Sequence, residues 1–256
     1  MVKETQPDYF LYENVKGMVS HDKGKTIRTV LETFDELGYY VDFNIFNSKY
    51  YDVPQNRERI YILGKRKDLI NNPIYQETVK GKNKINELHN WAVDNINYVK
   101  MLPKLRTEVT TRFIDVLEDK VDEKYYLSEE KTKNLTLNED LSGKLNHYGY
   151  RGIDAVYALD GVSPTLNTMQ GGNRQPKIAV IGNTSKTEYK SLNITNDVRI
   201  RRLTPLECWR LQGFSDEQFY KAKESGVSNS QLYKQAGNSV TVNVVDAIVQ
   251  SITQDI

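Results

Sequence analysis

Apolar and polar positions along this chain fall into two regular blocks separated by a long, weakly patterned middle. Near the amino terminus Tyr9-Phe10-Leu11-Tyr12 is an unbroken apolar run, ended by Glu13 and Asn14. Such a run predicts a strand buried on both faces, as in a parallel α/β sheet. Polar side chains at the carboxyl end of such a strand lie where open α/β sheets bind their ligands, so Glu13 and Asn14 are the first candidates for chemistry. Val15 to Lys25, punctuated by Gly17 and Gly24, predicts a loop. Thr26 offers a cap to a helix carrying Ile27, Val30, Leu31, Phe34 and Leu37 at helical spacing and stopped by Gly38. Tyr39 to Asn47 alternates Val41, Phe43 and Ile45 with polar neighbours, the pattern of a half-buried strand. Past Pro54, the segment Gln55-Asn56-Arg57-Glu58-Arg59 leads into a strand, Ile60-Tyr61-Ile62-Leu63, stopped by Gly64.

From Lys65 the pattern weakens, and Lys, Asn and Asp dominate to about Lys100. Phe113 to Leu117 and Tyr125-Tyr126-Leu127 are short ordered pieces, and Glu129 to Leu137 predicts a short helix. Tyr148 to Thr168 is loop-rich, Gln170 to Pro176 a turn, and Lys177 to Ile181 a strand. Regularity returns at Thr204-Pro205-Leu206-Glu207: a capping threonine, proline at the first helical position, and glutamate three after the cap. Gln235-Ala236-Gly237-Asn238-Ser239 leads into a last apolar helix, with Asn238 or Ser239 as its cap.

Composition changes this picture little. The chain has 256 residues, 35 basic against 34 acidic, so any nucleic-acid binding must come from a local patch. One cysteine, Cys208, excludes an internal disulfide and any multi-cysteine metal site, and it reads as a small buried apolar residue. Three scattered histidines offer no metal site. With no long apolar run and no leader pattern, a cytoplasmic protein is expected.

Five motifs in order resemble those of the DNA (cytosine-5) methyltransferases. They are Tyr12-Glu13-Asn14-Val15; Pro54-Gln55-Asn56-Arg57-Glu58-Arg59-Ile60; Ser163-Pro164-Thr165-Leu166; Arg202-Leu203-Thr204-Pro205 through Gln212-Gly213-Phe214; and Gln235-Ala236-Gly237-Asn238-Ser239-Val240. The resemblance implies addition of a cysteine thiolate to carbon 6 of cytosine and methylation of carbon 5 by S-adenosylmethionine. It also implies extrusion of the base from double-stranded DNA. It makes Glu13 the acid that protonates ring nitrogen 3, Arg59 the holder of the base's carbonyl oxygen, Arg57 its companion, and Asn14 a residue that helps fix the pocket. Asn238 and Ser239 resemble cofactor-pocket residues. Thr165 and Leu166 resemble a target-recognition dipeptide, with Gln170, Asn173 and Arg174 able to read base edges. Arg199, Arg201 and Arg202 suit phosphate contacts.

The implied fold is the carboxyl-terminal half of a Rossmann-like α/β methyltransferase domain at 1–80, a small, mostly β target-recognition domain at 81–234, and a returning helix at 235–256. The family's glycine-rich cofactor loop and the Pro-Cys segment with its nucleophile are absent, an expected gap on the order of 100 residues. Cys208 lies in the capped helix and does not stand in for that nucleophile. The expectation is therefore a chain inactive by itself, completed by a second polypeptide at the exposed edge of the strand Tyr9–Glu13. A separately expressed fragment, a gene remnant, or a non-catalytic DNA-binding module that kept the recognition domain are the alternatives. A nucleotide-dependent α/β enzyme of another kind lacks a phosphate-cradling loop here.

Overall fold

A computed structural model of the chain describes residues 1–128, 144–145, 155–168, 174–181 and 198–253. The expected helix at Glu129–Leu137, the Gly171-Gly172 turn, Gln170 and Asn173 lie outside the described residues. The strands are β1 (Tyr9–Val15), β2 (Tyr39–Asn47), β3 (Gln55–Asn56), β4 (Glu58–Arg66), β5 (Lys144–Leu145), β6 (Val156–Tyr157), β7 (Ser163–Pro164), β8 (Lys177–Ile181) and β9 (Val198–Arg202). The helices are α1 (Val2–Thr5), α2 (Lys25–Glu36), α3 (Lys84–Asn95), α4 (Phe113–Val116), α5 (Pro205–Arg210), α6 (Asp216–Glu224), α7 (Asn229–Asn238) and α8 (Val242–Thr253). The chain divides into two compact units. One holds Met1–Asn47, Glu58–Leu105 and Val245–Ile256; the other holds Ser48–Arg57 and Arg106–Val244.

In the first unit the sheet order is β1-β4-β2, and β4 runs antiparallel to both neighbours. This corrects the expectation for β1. It is an end strand of an antiparallel ladder, half-buried from Tyr9 to Asn14 and exposed at Val15. Its aromatic run serves packing of a different kind. Phe10 meets Phe34 and Tyr39 at centroid distances of 4.3 and 5.0 Å. The same ring lies so close to Gly64 that a Cβ there would approach it to 2.1 Å. Ile27 and Leu31 of α2 share one core with Val41 and Phe43 of β2, Ile60 and Ile62 of β4, and Leu88 and Ala92 of α3.

α2 starts at Lys25 after Gly24, which adopts φ +85° and supplies no side-chain cap. Thr26, expected as the cap, instead has its hydroxyl 2.7 Å from His21 Nδ1. α3 was hidden in the Lys- and Asn-rich stretch, although Ile85, Leu88 and Ala92 keep helical spacing and Asn83 caps it by accepting from Asn86 N–H at 2.8 Å. Because α3 packs on the sheet, the first unit extends to Leu105, past the expected cut near residue 80. Asp42, 3% exposed, ties the returning chain to β2. Its carboxylate accepts from Phe43 N–H (2.9 Å), Gln76 Nε2 (3.1 Å), Met101 N–H and Leu102 N–H (2.7 Å each).

The second unit contains a sheet in the order β5-β6-β8-β9 and the two-residue parallel pair β3-β7. Its core gathers Phe113, Leu166, Leu203, Trp209, Phe219 and Leu232, among others. α5 forms as the motif predicts, with Thr204 and Glu207 in a reciprocal capping box and Pro205 at its start. α6 has its own box from Ser215 and Gln218, and Ser228 caps α7. Among the described residues, no helix is long and apolar enough to cross a membrane.

Candidate functional site

At the end of the first sheet, β1 delivers Glu13 and β4 delivers Arg59. Arg59 Nε lies 3.0 Å from Glu13 Oε1, with the two side chains 15% and 26% exposed. Arg59 Nη1 also donates to the carbonyl of Glu58 at 2.8 Å, which fixes the guanidinium plane. A second ion pair, Lys16 Nζ to Glu58 at 2.9 Å, flanks the first and was not anticipated from sequence. The Glu13–Arg59 pair offers guanidinium N–H donors beside a carboxyl group, partly open to solvent. That combination suits a planar heterocycle presenting a carbonyl oxygen next to a ring nitrogen.

Asn14 does not join them. Side chains alternate along a strand, so Asn14 leaves the opposite face from Glu13. Its Nδ2 donates to Tyr12 Oη at 2.7 Å, and its Oδ1 accepts from Val15 N–H at 2.8 Å. Asn14 thereby braces the strand end that carries Glu13.

Arg57 belongs to the second unit and is 3% exposed. It donates to the carbonyls of Leu166 (3.3 Å), Gly237 (3.4 Å) and Ser239 (2.8 Å). Where Arg57 was expected as the companion of Arg59 at the base, these bonds aim its guanidinium at backbone carbonyls within its own unit. Gln55, fully buried, accepts from Leu166 N–H at 3.0 Å and donates to the carbonyl of Leu211 at 2.8 Å. Its role was missed as a site feature, though the every-second-residue spacing of Gln55 and Arg57 was a visible signal that both face one way.

Thr165 donates its hydroxyl to the Asn56 carbonyl at 2.7 Å, and Leu166 is buried at 2%. Arg174 is exposed. The three clustered arginines separate. Arg199 pairs with Glu123 at 2.6 Å and lies over Tyr126 at 3.9 Å, while Arg202 donates to the Lys124 carbonyl at 2.7 Å. Arg201 is enclosed: it bonds both Glu207 oxygens, at 2.8 and 2.7 Å, with the pair 3% and 0% exposed. A phosphate contact from Arg201 is thereby replaced by an internal ion pair. Glu207 also accepts from Thr204 N–H and Glu118 N–H.

Asn238 and Ser239 sit at the end of α7, not at the start of the last helix, which begins at Val242. Ser239 turns its hydroxyl to the Ala236 carbonyl at 2.9 Å, and Asn238 is exposed. A helix carboxyl end presents carbonyl oxygens and negative dipole, which repel a carboxylate. The helix-start contact expected of these two residues is therefore not made at α7, while Ser239 lies three residues before α8 begins at Val242. Cys208 is 0% exposed; burial first, and the neighbouring Glu207 carboxylate next, push its thiol well above the usual range. It is no nucleophile in this fold. Among the described residues, no group of three or more His, Cys, Asp or Glu could hold a metal ion.

The family model for C-5 cytosine-specific DNA methylase matches residues 1–254. The orphan methyltransferase M.SPBetaI of Bacillus phage SPbeta is 39% identical over 303 aligned residues, covering 98% of this chain and 67% of that protein. The type II methyltransferase M.HpaII of Haemophilus parainfluenzae is 33% identical over 261 residues, covering 99% of this chain and 62% of its own length. The chain thus spans about two thirds of the length of these relatives. Among solved structures, the S. pombe Dnmt2 methyltransferase aligns with a TM-score of 0.56 at 19% identity, covering 97% of this chain and 67% of that one. The Entamoeba histolytica methyltransferase EhMeth aligns with a TM-score of 0.59 at 15% identity, covering 97% and 63%. At such identities the structural likeness speaks to fold alone, and it agrees with a mixed α/β methyltransferase architecture. With residues 1–254 of this chain matched by the family model, the chain belongs to the C-5 cytosine-specific DNA methylase family.

Proposed function

We propose that this chain forms the base pocket and the target-recognition part of a DNA cytosine-5 methyltransferase acting on double-stranded DNA. The observation that carries the proposal is the Glu13–Arg59 pair at 3.0 Å, in a chain of that family. In this reading Met1–Asn47, Glu58–Leu105 and Val245–Ile256 are the second half of the catalytic α/β domain, and the unit of Ser48–Arg57 and Arg106–Val244 carries target recognition. Arg59 donates to the carbonyl oxygen of an extruded cytosine, and Glu13 holds a proton at ring nitrogen 3. Both actions offset charge that gathers on the ring during attack at carbon 6. S-adenosylmethionine, the methyl donor that the family implies, supplies the group transferred to carbon 5. The enclosure of Cys208 supports a nucleophile other than Cys208, and in this reading the attacking thiol is carried by a second polypeptide.

Duplex binding tests the pocket without needing the thiol. A mispaired cytosine is cheaper to extrude than a paired one, so a protein that holds the flipped base binds the mispaired duplex more tightly. The wild-type chain should prefer a duplex with one mispaired cytosine over the same duplex with an abasic site, and Glu13→Gln should lose that preference. Equal affinities for both duplexes in the wild type would overturn the pocket reading. Sequence-selective binding that ignores Glu13→Gln would instead favour a non-catalytic DNA-binding module, the reading that the inert Cys208 also favours.

A further inference from the structure

We infer that Arg57 is a positioning residue for DNA target selection, coupling the recognition dipeptide Thr165-Leu166 to the turn Gly237–Ser239 through the backbone. This inference rests on reading Thr165-Leu166 as recognition residues.

Three successive residues hold that dipeptide. Asn56 accepts from the Thr165 hydroxyl at 2.7 Å. Gln55 accepts from Leu166 N–H at 3.0 Å, and Arg57 donates to the Leu166 carbonyl at 3.3 Å. The same guanidinium reaches Gly237 at 3.4 Å and Ser239 at 2.8 Å, residues 180 and 182 positions away in sequence. A second, independent contact joins the two segments. A Cβ on Gly237 would fall 2.0 Å from the Asn167 carbonyl oxygen, so backbone there lies directly on backbone. Leu166 therefore cannot shift without displacing Gly237–Ser239 or breaking these bonds.

The chemistry favours arginine for this task. A planar fork directs several N–H donors at once toward carbonyls in different directions, whereas an ammonium offers a compact point charge on a flexible stem. At 3% exposure the cation is enclosed, with carbonyl oxygens of its own unit among its partners.

The experiment first selects a preferred duplex from a randomised pool with the wild-type chain. Affinity for that duplex and for a scrambled one is then measured across a salt series for Arg57→Lys, Arg57→Gln and Gly237→Ala, each checked for a cooperative thermal melt. The expected result is a loss of selected-over-scrambled discrimination, at least about tenfold, in all three variants. The salt slope should stay at its wild-type value in all three. A phosphate contact behaves differently: Arg57→Lys keeps it, and Arg57→Gln lowers the slope by about 0.9. That pattern, or full discrimination in Gly237→Ala, overturns the inference. If the Arg57 variants do not melt cooperatively, Gly237→Ala, with Arg57 intact, decides alone. A wild-type chain that selects no sequence overturns the functional reading and this inference with it.

Discussion

Glu13 lies opposite Tyr61 and Arg59 lies opposite Val15, so acid and guanidinium are two residues apart along one antiparallel ladder and leave the same face of it. Diagonal neighbours of this kind are within reach of long side chains, which is how the 3.0 Å pair closes without any loop to arrange it.

Because this pair is partly open to water, at 15% and 26% exposure, it should matter for binding and little for folding. Glu13→Gln and Arg59→Ala are each expected to lower unfolding free energy by less than about 1 kcal/mol. Urea unfolding of the variants checks this, and a much larger loss would mark the pair as a structural strut.

The enclosed pair Arg201–Glu207 should behave in the opposite way. Arg201→Ala leaves an uncompensated carboxylate at 0% exposure, a cost of about 3–5 kcal/mol. Replacing Arg201 with Met and Glu207 with Gln, which keeps an acceptor for the Thr204 and Glu118 N–H groups, should recover most of that loss. If the double variant is no better than the single one in chemical denaturation, the arginine matters for its packing and not for its charge.

Asp42 and His89 give the first unit opposing pH terms. Burial raises Asp42 from 3.8 to about 6, against the pull of the Leu102, Met101, Gln76 and Phe43 donors. Burial lowers His89 from 6.5 to about 4, where its ring stacks on Phe43 at 4.8 Å. An acid raised on folding holds its proton better in the folded chain, so its term increasingly favours folding as pH falls from about 6 to 4. A depressed histidine stays neutral while its unfolded counterpart charges, so its term increasingly opposes folding from about pH 6.5 to 4. Each is worth up to about 3 kcal/mol and they largely cancel. His89→Gln should uncover stability that rises on acidification from about pH 6.5 to 4.5, and Asp42→Asn stability that falls. Urea midpoints with the same pH trend in both variants would refute the pairing.

Gly64→Ala is expected to cost about 1–3 kcal/mol, since the new methyl must push the Phe10 ring off the strand. The double variant Gly64→Ala with Phe10→Leu should cost less than the two single changes added together. Strict additivity in unfolding measurements would show that the ring yields freely.

The order of motifs along the chain carried the family, and with it the meeting of Glu13 and Arg59. The direction of β1 was not legible, because an apolar run records burial and not the sense of its neighbour. Here that neighbour is β4, antiparallel to both flanking strands. Arginine roles were equally hidden. Arg201 and Arg199 differ by two positions, yet one faces a buried glutamate and the other an exposed one. Nothing in composition separates them; only the distant partner does. By contrast α6 and α7 had readable starts, Ser215 with Gln218 and Ser228, passed over because polar residues dominate those stretches.

With β4 reversed between them, β1 and β2 point the same way, and their last residues arrive together where β4 sets out at Glu58. Alignment along that ladder then decides more than cohesion. A slide of β1 by a single residue would turn Glu13 toward the helices and bring Asn14 to the face of Arg59. Whatever guards the sheet against slipping, the Phe10 ring seated on Gly64 above all, also guards the aim of the acid.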